Sequence, residues 1–191
     1  MKIGLFFGSF NPIHIGHLII ANVIHNSSDC KEIWFVVSPQ NPFKPSQSLA
    51  HEQDRYDMVQ AAINEDYCFR VSDVEFQMPK PSYTVDTLAY LSAKNEGKEF
   101  KLIIGSDNLK SFHKWKNHQV ILDQYGLLVY PRQGEMDSPL LEHKNVEVIE
   151  SPLLNISASY IRKQIREGKS VKYLLPTPVI DIIDNRHLFG H

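Results

Sequence analysis

Short apolar runs alternate along the chain with longer stretches whose apolar residues recur every three or four positions. Ile3 to Phe7, Glu32 to Val37, Phe69 to Val71, Phe100 to Ile104, Gly126 to Tyr130 and Val146 to Ile149 read as strands. The first has no polar alternation, the pattern of a strand covered on both faces. Helical spacing runs from Ile15 through Leu18, Ile19, Ala21 and Val23. A second helix is predicted from about Glu52 to Ile63 with Tyr56, Val59, Ala62 and Ile63 inward. Thr84 is a candidate cap for a third, carrying Val85, Leu88, Ala89 and Leu91 and ending near Gly97. Ser157 caps another before Tyr160, Ile161 and Ile165, closed by Gly168. Thr177, followed by Pro178 at the first helical position, opens the last, with Val179, Ile182 and Ile183 as its stripe. Strands alternating with helices predict an α/β fold. Ser38 to Ser46, with its three prolines, is expected to be a surface loop, and the polar stretch Gly134 to His143 a mobile one.

The chain has 191 residues, 42% of them apolar, and a net charge of −2. That length suits one well-buried domain spanning residues 1–191. A chain with more acids than bases lacks the basic face of a nucleic-acid binder, so any polyanion it holds must be small and locally gripped. No apolar run approaches the ~20 residues needed to span a bilayer, and no leader-like segment opens the chain. Membrane partners are therefore not expected. Cys30 and Cys68, far apart in sequence, give no disulfide framework, which makes a reducing cytoplasm the expected location.

Chemistry concentrates where the first strand meets the first helix, at Gly8-Ser9-Phe10-Asn11-Pro12-Ile13-His14-Ile15-Gly16-His17. Gly8 would let backbone approach a ligand closely. His14 and His17, three apart, share a face at the helix start, where backbone N–H groups and the helix dipole favour an anion. Two imidazoles add donors whose charge is adjustable near neutral pH. Either histidine alone would be read as a structural residue, and the spacing also resembles a metal-ligand pair. A metal site is not expected, because no Glu follows His14 and the cysteines form no Cys-x-x-Cys pair. Gly105-Ser106-Asp107 repeats the strand-then-turn geometry after Phe100 to Ile104, and ligands collect at such carboxyl ends in open parallel sheets.

The Gly8 to His17 segment resembles the signature of the nucleotidyltransferase superfamily, with its His-x-Gly-His or Thr-x-Gly-His hallmark. Within it the chain is most similar to the bacterial nicotinate mononucleotide adenylyltransferases. The likeness extends in order through Asn41-Pro42-Phe43-Lys44-Pro45, Pro81 to Leu88, Gly105-Ser106-Asp107, His113-Lys114-Trp115 and Ile156 to Arg162. It implies a single Rossmann-like, doubly wound, mainly parallel sheet with helices on both faces. It also implies transfer of AMP from ATP to nicotinate mononucleotide, with magnesium accompanying ATP and homo-oligomerisation left open.

The resemblance assigns catalysis to His14, His17, Lys44 and Arg162, with His17 facing the reacting α-phosphate. ATP would be held by Gly8, Ser9, Phe10, His14, Gly16, His17, Gly105, Asp107, Ile156, Ser157 and Arg162. The mononucleotide would be held by Ser9, Phe10, Asn41, Lys44, Tyr83, Thr84, Thr87 and Asp107, with Trp115 stacking on its ring. Two departures stand out: Phe43 replaces the histidine that commonly precedes the loop lysine, and Ala158 replaces a second serine. Without the resemblance, Lys44 reads as a solvated lysine, Tyr83 as a core aromatic, Ser157 as a plain cap and Asp107 as a helix cap. Nicotinamide mononucleotide as substrate, a relative such as phosphopantetheine adenylyltransferase, and an inert nucleotide-binding regulatory module are the alternatives. The module would predict a damaged first motif, whereas His14, Gly16 and His17 are all present.

Overall fold

The computed structural model describes residues 1–39, 49–134 and 137–190. Six strands, β1 (Lys2–Gly8), β2 (Glu32–Val37), β3 (Phe69–Ser72), β4 (Glu99–Gly105), β5 (Leu127–Tyr130) and β6 (Val146–Val148), form one sheet in the order β3-β2-β1-β4-β5-β6. Every pairing is parallel. The helices are α1 (Ile15–Ser27), α2 (Glu52–Ala62), α3 (Thr84–Lys94), α4 (Ser106–Leu109), α5 (His118–Gln124), α6 (Ala158–Arg166) and α7 (Thr177–Asn185). Parallel strands need crossovers, and here the chain winds outward from β1 in one direction and from β4 in the other. This reversal is the switch point at which open parallel sheets form their ligand crevice, at the carboxyl ends of β1 and β4, where Gly8 and Gly105 end their strands.

Period-two alternation sorts the strand residues onto two cores. Phe6, Phe35, Ile103 and Leu128 face a cluster built by α1, α2, α6 and α7, including Ile24, Met58, Ile161 and Val179. Ile3, Leu5, Val36, Leu102, Ile104 and Val129 face the other way, against Val85, Leu88 and Leu91 of α3 and Ile121 and Leu122 of α5. Both faces are thus covered, as the unbroken apolar strands require. Among the described residues no helix is long and apolar enough to cross a membrane.

Several local expectations shift by a residue or change sense. The Tyr83 carbonyl accepts from the N–H groups of Asp86 and Thr87, so Tyr83 is the cap of α3 and Thr84 its first helical residue. Likewise the Pro176 carbonyl receives Val179 and Ile180, which moves Thr177 and Pro178 inside α7. Ala89 and Tyr160 are exposed because Leu88 and Leu91, and Ile161 and Ile165, take the inner stripes of their helices. The stretch expected to be mobile contains a 3-10 turn, Pro139–Glu142, opened by the Ser138 side chain accepting from Leu140 N–H. On α2 the inward position next to Tyr56 belongs to Arg55, whose side chain is 1% exposed.

Candidate active site

The bend after β1 is shaped by Phe10. A Cβ on Gly8 would lie 2.7 Å from the Phe10 ring, so glycine is needed for that ring to fold back under the strand end. Gly8 thus has a packing role beside the close ligand approach expected of it. Phe10 is buried, edge-on to Phe6, Phe35 and His17 at 5.9, 5.5 and 5.1 Å. Its φ of 44° is left-handed, a conformation costing a non-glycine residue about 1–3 kcal/mol. Contacts from outside the loop hold it there. Arg55 Nη1 donates to the Ser9 carbonyl at 2.6 Å, Ala50 N–H to Asn11 Oδ1 at 3.0 Å, and Arg162 Nη1 to the Asn11 carbonyl at 2.9 Å.

His14 caps α1, and its rings and bonds lock it to His17. Its N–H donates to His17 Nδ1 at 3.2 Å, and its carbonyl accepts from His17 N–H at 2.9 Å. The imidazoles stack with centroids 3.7 Å apart. An Nδ1 that accepts leaves the neutral ring's proton on Nε2. Burial, and secondarily the Arg132 cation, lower the His14 pKa to about 4. His14 is therefore neutral at neutral pH, and its Nδ1 is buried without a protein hydrogen-bond partner. A Cβ on Gly16 would come within 3.1 Å of that imidazole and 3.6 Å of Ile156, so Gly16 lets the His14 ring and Ile156 close on the helix start. The backbone donors expected here are partly engaged, since His14 and His17 bond one another and Ile15 N–H reaches the Leu174 carbonyl. Recognition of an anion falls correspondingly more on side chains.

Beside this bend, β4 delivers Gly105, Ser106 and Asp107. Ser106 Oγ accepts from Arg132 N–H at 2.9 Å, and Arg132 Nε lies 3.9 Å from Asp107 Oδ2. A Cβ on Gly105 would meet Asp107 Oδ1 at 2.5 Å and Arg132 Cγ at 2.9 Å, which explains the glycine. Arg132 was missed by the sequence reading. The signal was available, because Arg132 follows β5 at the same carboxyl edge that identifies Asp107 after β4.

The helix α6 closes the other side. Ser157 caps it, its Oγ accepting from Tyr160 N–H at 3.2 Å. Arg162 reaches back over the first turn of α6, as expected, with a 3.4 Å bond from Nη2 to Ser159 Oγ, and also crosses to the Asn11 carbonyl through Nη1 at 2.9 Å. Its Nε is buried and unpaired within the protein, and burial, then Arg166, lower its pKa. Because a guanidinium stays charged over the accessible pH range, Arg162 remains a cation beside the bend.

The residues assigned to the pyridine substrate divide. Trp115 is half-buried, 5.5 Å from the Phe112 ring. Tyr83 is 41% exposed, with the Lys116 ammonium 4.6 Å over its ring and paired to Asp86 at 2.8 Å. Thr84 stands beside Tyr83 and is half-buried. Thr87 is different: it is wholly buried and donates to Glu75 Oε1 at 2.8 Å, so its hydroxyl is turned into the fold rather than toward a ligand. Asn41, Lys44 and the departing Phe43 lie outside the described residues. Among the described residues no three His, Cys, Asp or Glu side chains gather closely enough to hold a metal ion.

Comparison with known proteins gives this crevice its context. Residues 5–164 match the cytidylyltransferase-like family. A protein of Cytophaga hutchinsonii, named probable nicotinate-nucleotide adenylyltransferase, is 56% identical over 191 residues, covering 100% of both chains. Its namesake in Flavobacterium johnsoniae is 47% identical over 99% of both. Among solved structures, the Plasmodium falciparum nicotinic acid mononucleotide adenylyltransferase complexed with NaAD superposes with a TM-score of 0.83, covering 98% of this chain and 97% of that one. At 22% identity that likeness establishes the fold, while the matches along the full sequence establish kinship. The chain belongs to the nicotinate-nucleotide adenylyltransferases of the cytidylyltransferase-like family.

Proposed function

We propose that this chain transfers the adenylyl group of ATP to nicotinate mononucleotide, giving nicotinate adenine dinucleotide and pyrophosphate in NAD synthesis. The observation that carries the reading is the convergence of His14, His17, Arg132, Asp107 and Arg162 on the crevice at the ends of β1 and β4. A phosphate oxygen of the mononucleotide attacks the α-phosphorus in line, and the bond to the bridging oxygen of the departing pyrophosphate breaks. Such a reaction gains from alignment and charge neutralisation more than from a covalent nucleophile. The site offers these in the right form.

His17, whose neutral ring carries its proton on Nε2, is assigned to the α-phosphate, and the His14 ring stacked on it and the Arg162 guanidinium are assigned to the triphosphate. Gly16 and Ile156 shape the wall beside them. Trp115 stacks on the pyridine, with Tyr83, Thr84 and Asp107 nearby in the proposed pocket and Asn41 and Lys44 supplied by the adjoining segment. Among the described residues no cluster would cage a metal, and a magnesium ion would be carried by the phosphate oxygens and water, the usual mode for this ion. When bound, magnesium neutralises charge on the triphosphate. The free thiols of Cys30 and Cys68 accord with a cytoplasmic location.

The direct test is pyrophosphate release by the purified protein given ATP and either mononucleotide. Release is expected with nicotinate mononucleotide, faster than with its amide, and is expected to stop when EDTA removes magnesium. No release with any mononucleotide, alongside calorimetric binding of ATP, would favour a regulatory module.

His17→Ala is expected to lower kcat by ~100-fold or more with far smaller changes in KM, because a donor aimed at developing charge acts in the transition state. Turnover within a few-fold of the parent would make His17 structural.

Substrate-resolved kinetics should divide the two halves of the site. Trp115→Ala is expected to raise KM for nicotinate mononucleotide by roughly ten-fold or more, since stacking on an aromatic is worth ~1–3 kcal/mol per base. Ser157→Ala and Arg162→Ala should act mainly on ATP. Equal effects of Trp115→Ala on both substrates would return that ring to the core.

Stability should also register His14. Its folded pKa of about 4 lies below the value of 6.5 for a free histidine, so between these values the unfolded chain binds more protons. The contribution is complete above about pH 6.5 and is lost as pH falls through 4, amounting to on the order of 3 kcal/mol. Melting temperatures of ligand-free protein should therefore fall less steeply across that window in His14→Asn than in the parent. Parallel profiles would mean that His14 does not carry the effect.

A further inference from the structure

Lys116 follows Trp115 in a tight turn and reaches across to the start of α3. The Trp115 carbonyl accepts from His118 N–H at 3.2 Å, Asn117 takes a left-handed φ of 50°, and Lys116 stands at the corner of that turn. Asparagine tolerates this conformation better than most residues. From the corner, the ammonium lies 4.6 Å from the centre of the Tyr83 ring and 2.8 Å from Asp86 Oδ2. One residue thus joins the two walls that the proposed reaction gives to the pyridine: its backbone continues Trp115, and its charge rests on Tyr83.

Neither wall needs that contact to stay in place. Trp115 N–H donates to the Phe112 carbonyl at 2.9 Å, and its ring lies against the wholly buried Phe112 ring. On α3, the Thr87 hydroxyl is anchored from inside by Glu75, and the Tyr83 carbonyl closes the first turn. Lys116 and Asp86 are both exposed, and ion pairs of that kind add little to stability. Among the described residues Asp86 is the one acid on Lys116, whereas an ammonium carries three donors. Capacity for a second anion is therefore left at the edge of the pyridine pocket.

The two candidate mononucleotides differ in a single substituent of the ring, a carboxylate in one and a carboxamide in the other. Stacking on Trp115 serves both alike, so a choice between them needs a group that reads charge. We infer that Lys116 is a specificity-determining residue: its ammonium favours the nicotinate carboxylate over the neutral amide, and Asp86 tempers that preference by competing for the same cation. This rests on the adenylyltransfer reading proposed above. Lys116 takes no part in the transfer between phosphates; it acts on which mononucleotide is held.

The test compares the parent with Lys116→Met, Lys116→Arg and Asp86→Asn, measuring kcat/KM for nicotinate and nicotinamide mononucleotide at saturating ATP. Should the amide turn over too slowly to measure, its inhibition constant against nicotinate mononucleotide serves in its place. Lys116→Met is expected to lower the preference for nicotinate by about three-fold or more, the size typical of a partly exposed charge contact. Lys116→Arg keeps the charge and should hold the preference within about two-fold of the parent. Asp86→Asn should raise the preference, because it releases the cation from its competitor. A pair that merely strapped α3 to the Trp115 turn would behave differently: Lys116→Met and Asp86→Asn would both break it and would raise KM for the two mononucleotides alike. That pattern, or a preference in Lys116→Met within about two-fold of the parent, would overturn the inference. A parent that makes no dinucleotide from either mononucleotide would instead overturn the adenylyltransfer reading, and this inference with it.

Discussion

The bend between Gly8 and His14 is the constraint on which the mouth of this protein depends. Phe10 stands in a left-handed conformation that an aromatic residue does not favour, and the bend has no regular secondary structure to hold it. Its support comes from a distance in sequence: Arg55 of α2 on the Ser9 carbonyl, Ala50 on the Asn11 side chain, Arg162 of α6 on the Asn11 carbonyl. The Phe10 ring, wedged against Phe6, Phe35 and His17, carries the same constraint into the core. Placing His14 at the helix start and stacking it on His17 follows from that bend. Tertiary contacts therefore decide the local conformation here.

A chain with a net charge of −2 can still build a cationic crevice, because what matters is where charges are held and how much water surrounds them. The structure uses cations in different ways. Arg132 is half-exposed and close enough to His14 to oppose its protonation. Arg162 is partly buried with one donor left over, and Arg55 is fully buried with its donors directed at carbonyls. His14 is kept neutral when no anion is present. In the proposed reaction the arriving triphosphate opposes the Arg132 contribution, since nearby negative charge favours the protonated ring, while burial continues to disfavour it.

How much of this could be read from sequence depended on whether the determinant was local. The strands were legible because both-face burial writes itself as unbroken apolar runs, and each predicted strand overlaps an observed one. Helix ends slipped by a residue, as at Tyr83 and Pro176, because the residue whose carbonyl accepts the first helical bonds need not bear a capping side chain. Thr87 was misplaced for a related reason. A threonine early in a helix has the same local pattern whether it faces a ligand or, as here, a buried glutamate from a preceding turn. Arg55 was invisible, since a single arginine in an amphipathic helix reads as solvated and its partners lie up to 46 positions away. His14, His17 and Asp107 were legible from the turns that follow buried strands, Ser157 and Arg162 gained a role through the resemblance, and the fold supplies what neither could: the partners that hold each one.

The two cores explain why such a site can serve two substrates. The bend, the histidines and α6 belong to the face built by α1, α2, α6 and α7, while Trp115 and α3 belong to the face built with α5. The doubly wound order makes these faces meet at one place, where the chain's outward windings from β1 and β4 part. In the proposed reaction the triphosphate lies along the first face and the pyridine nucleotide along the second, so their reacting phosphates meet at the strand ends. In-line attack needs the entering phosphate oxygen opposite the departing pyrophosphate, and a fold that covers one sheet with two helical layers offers two walls from which to hold the substrates in that alignment. What remains for individual side chains is fine adjustment of position.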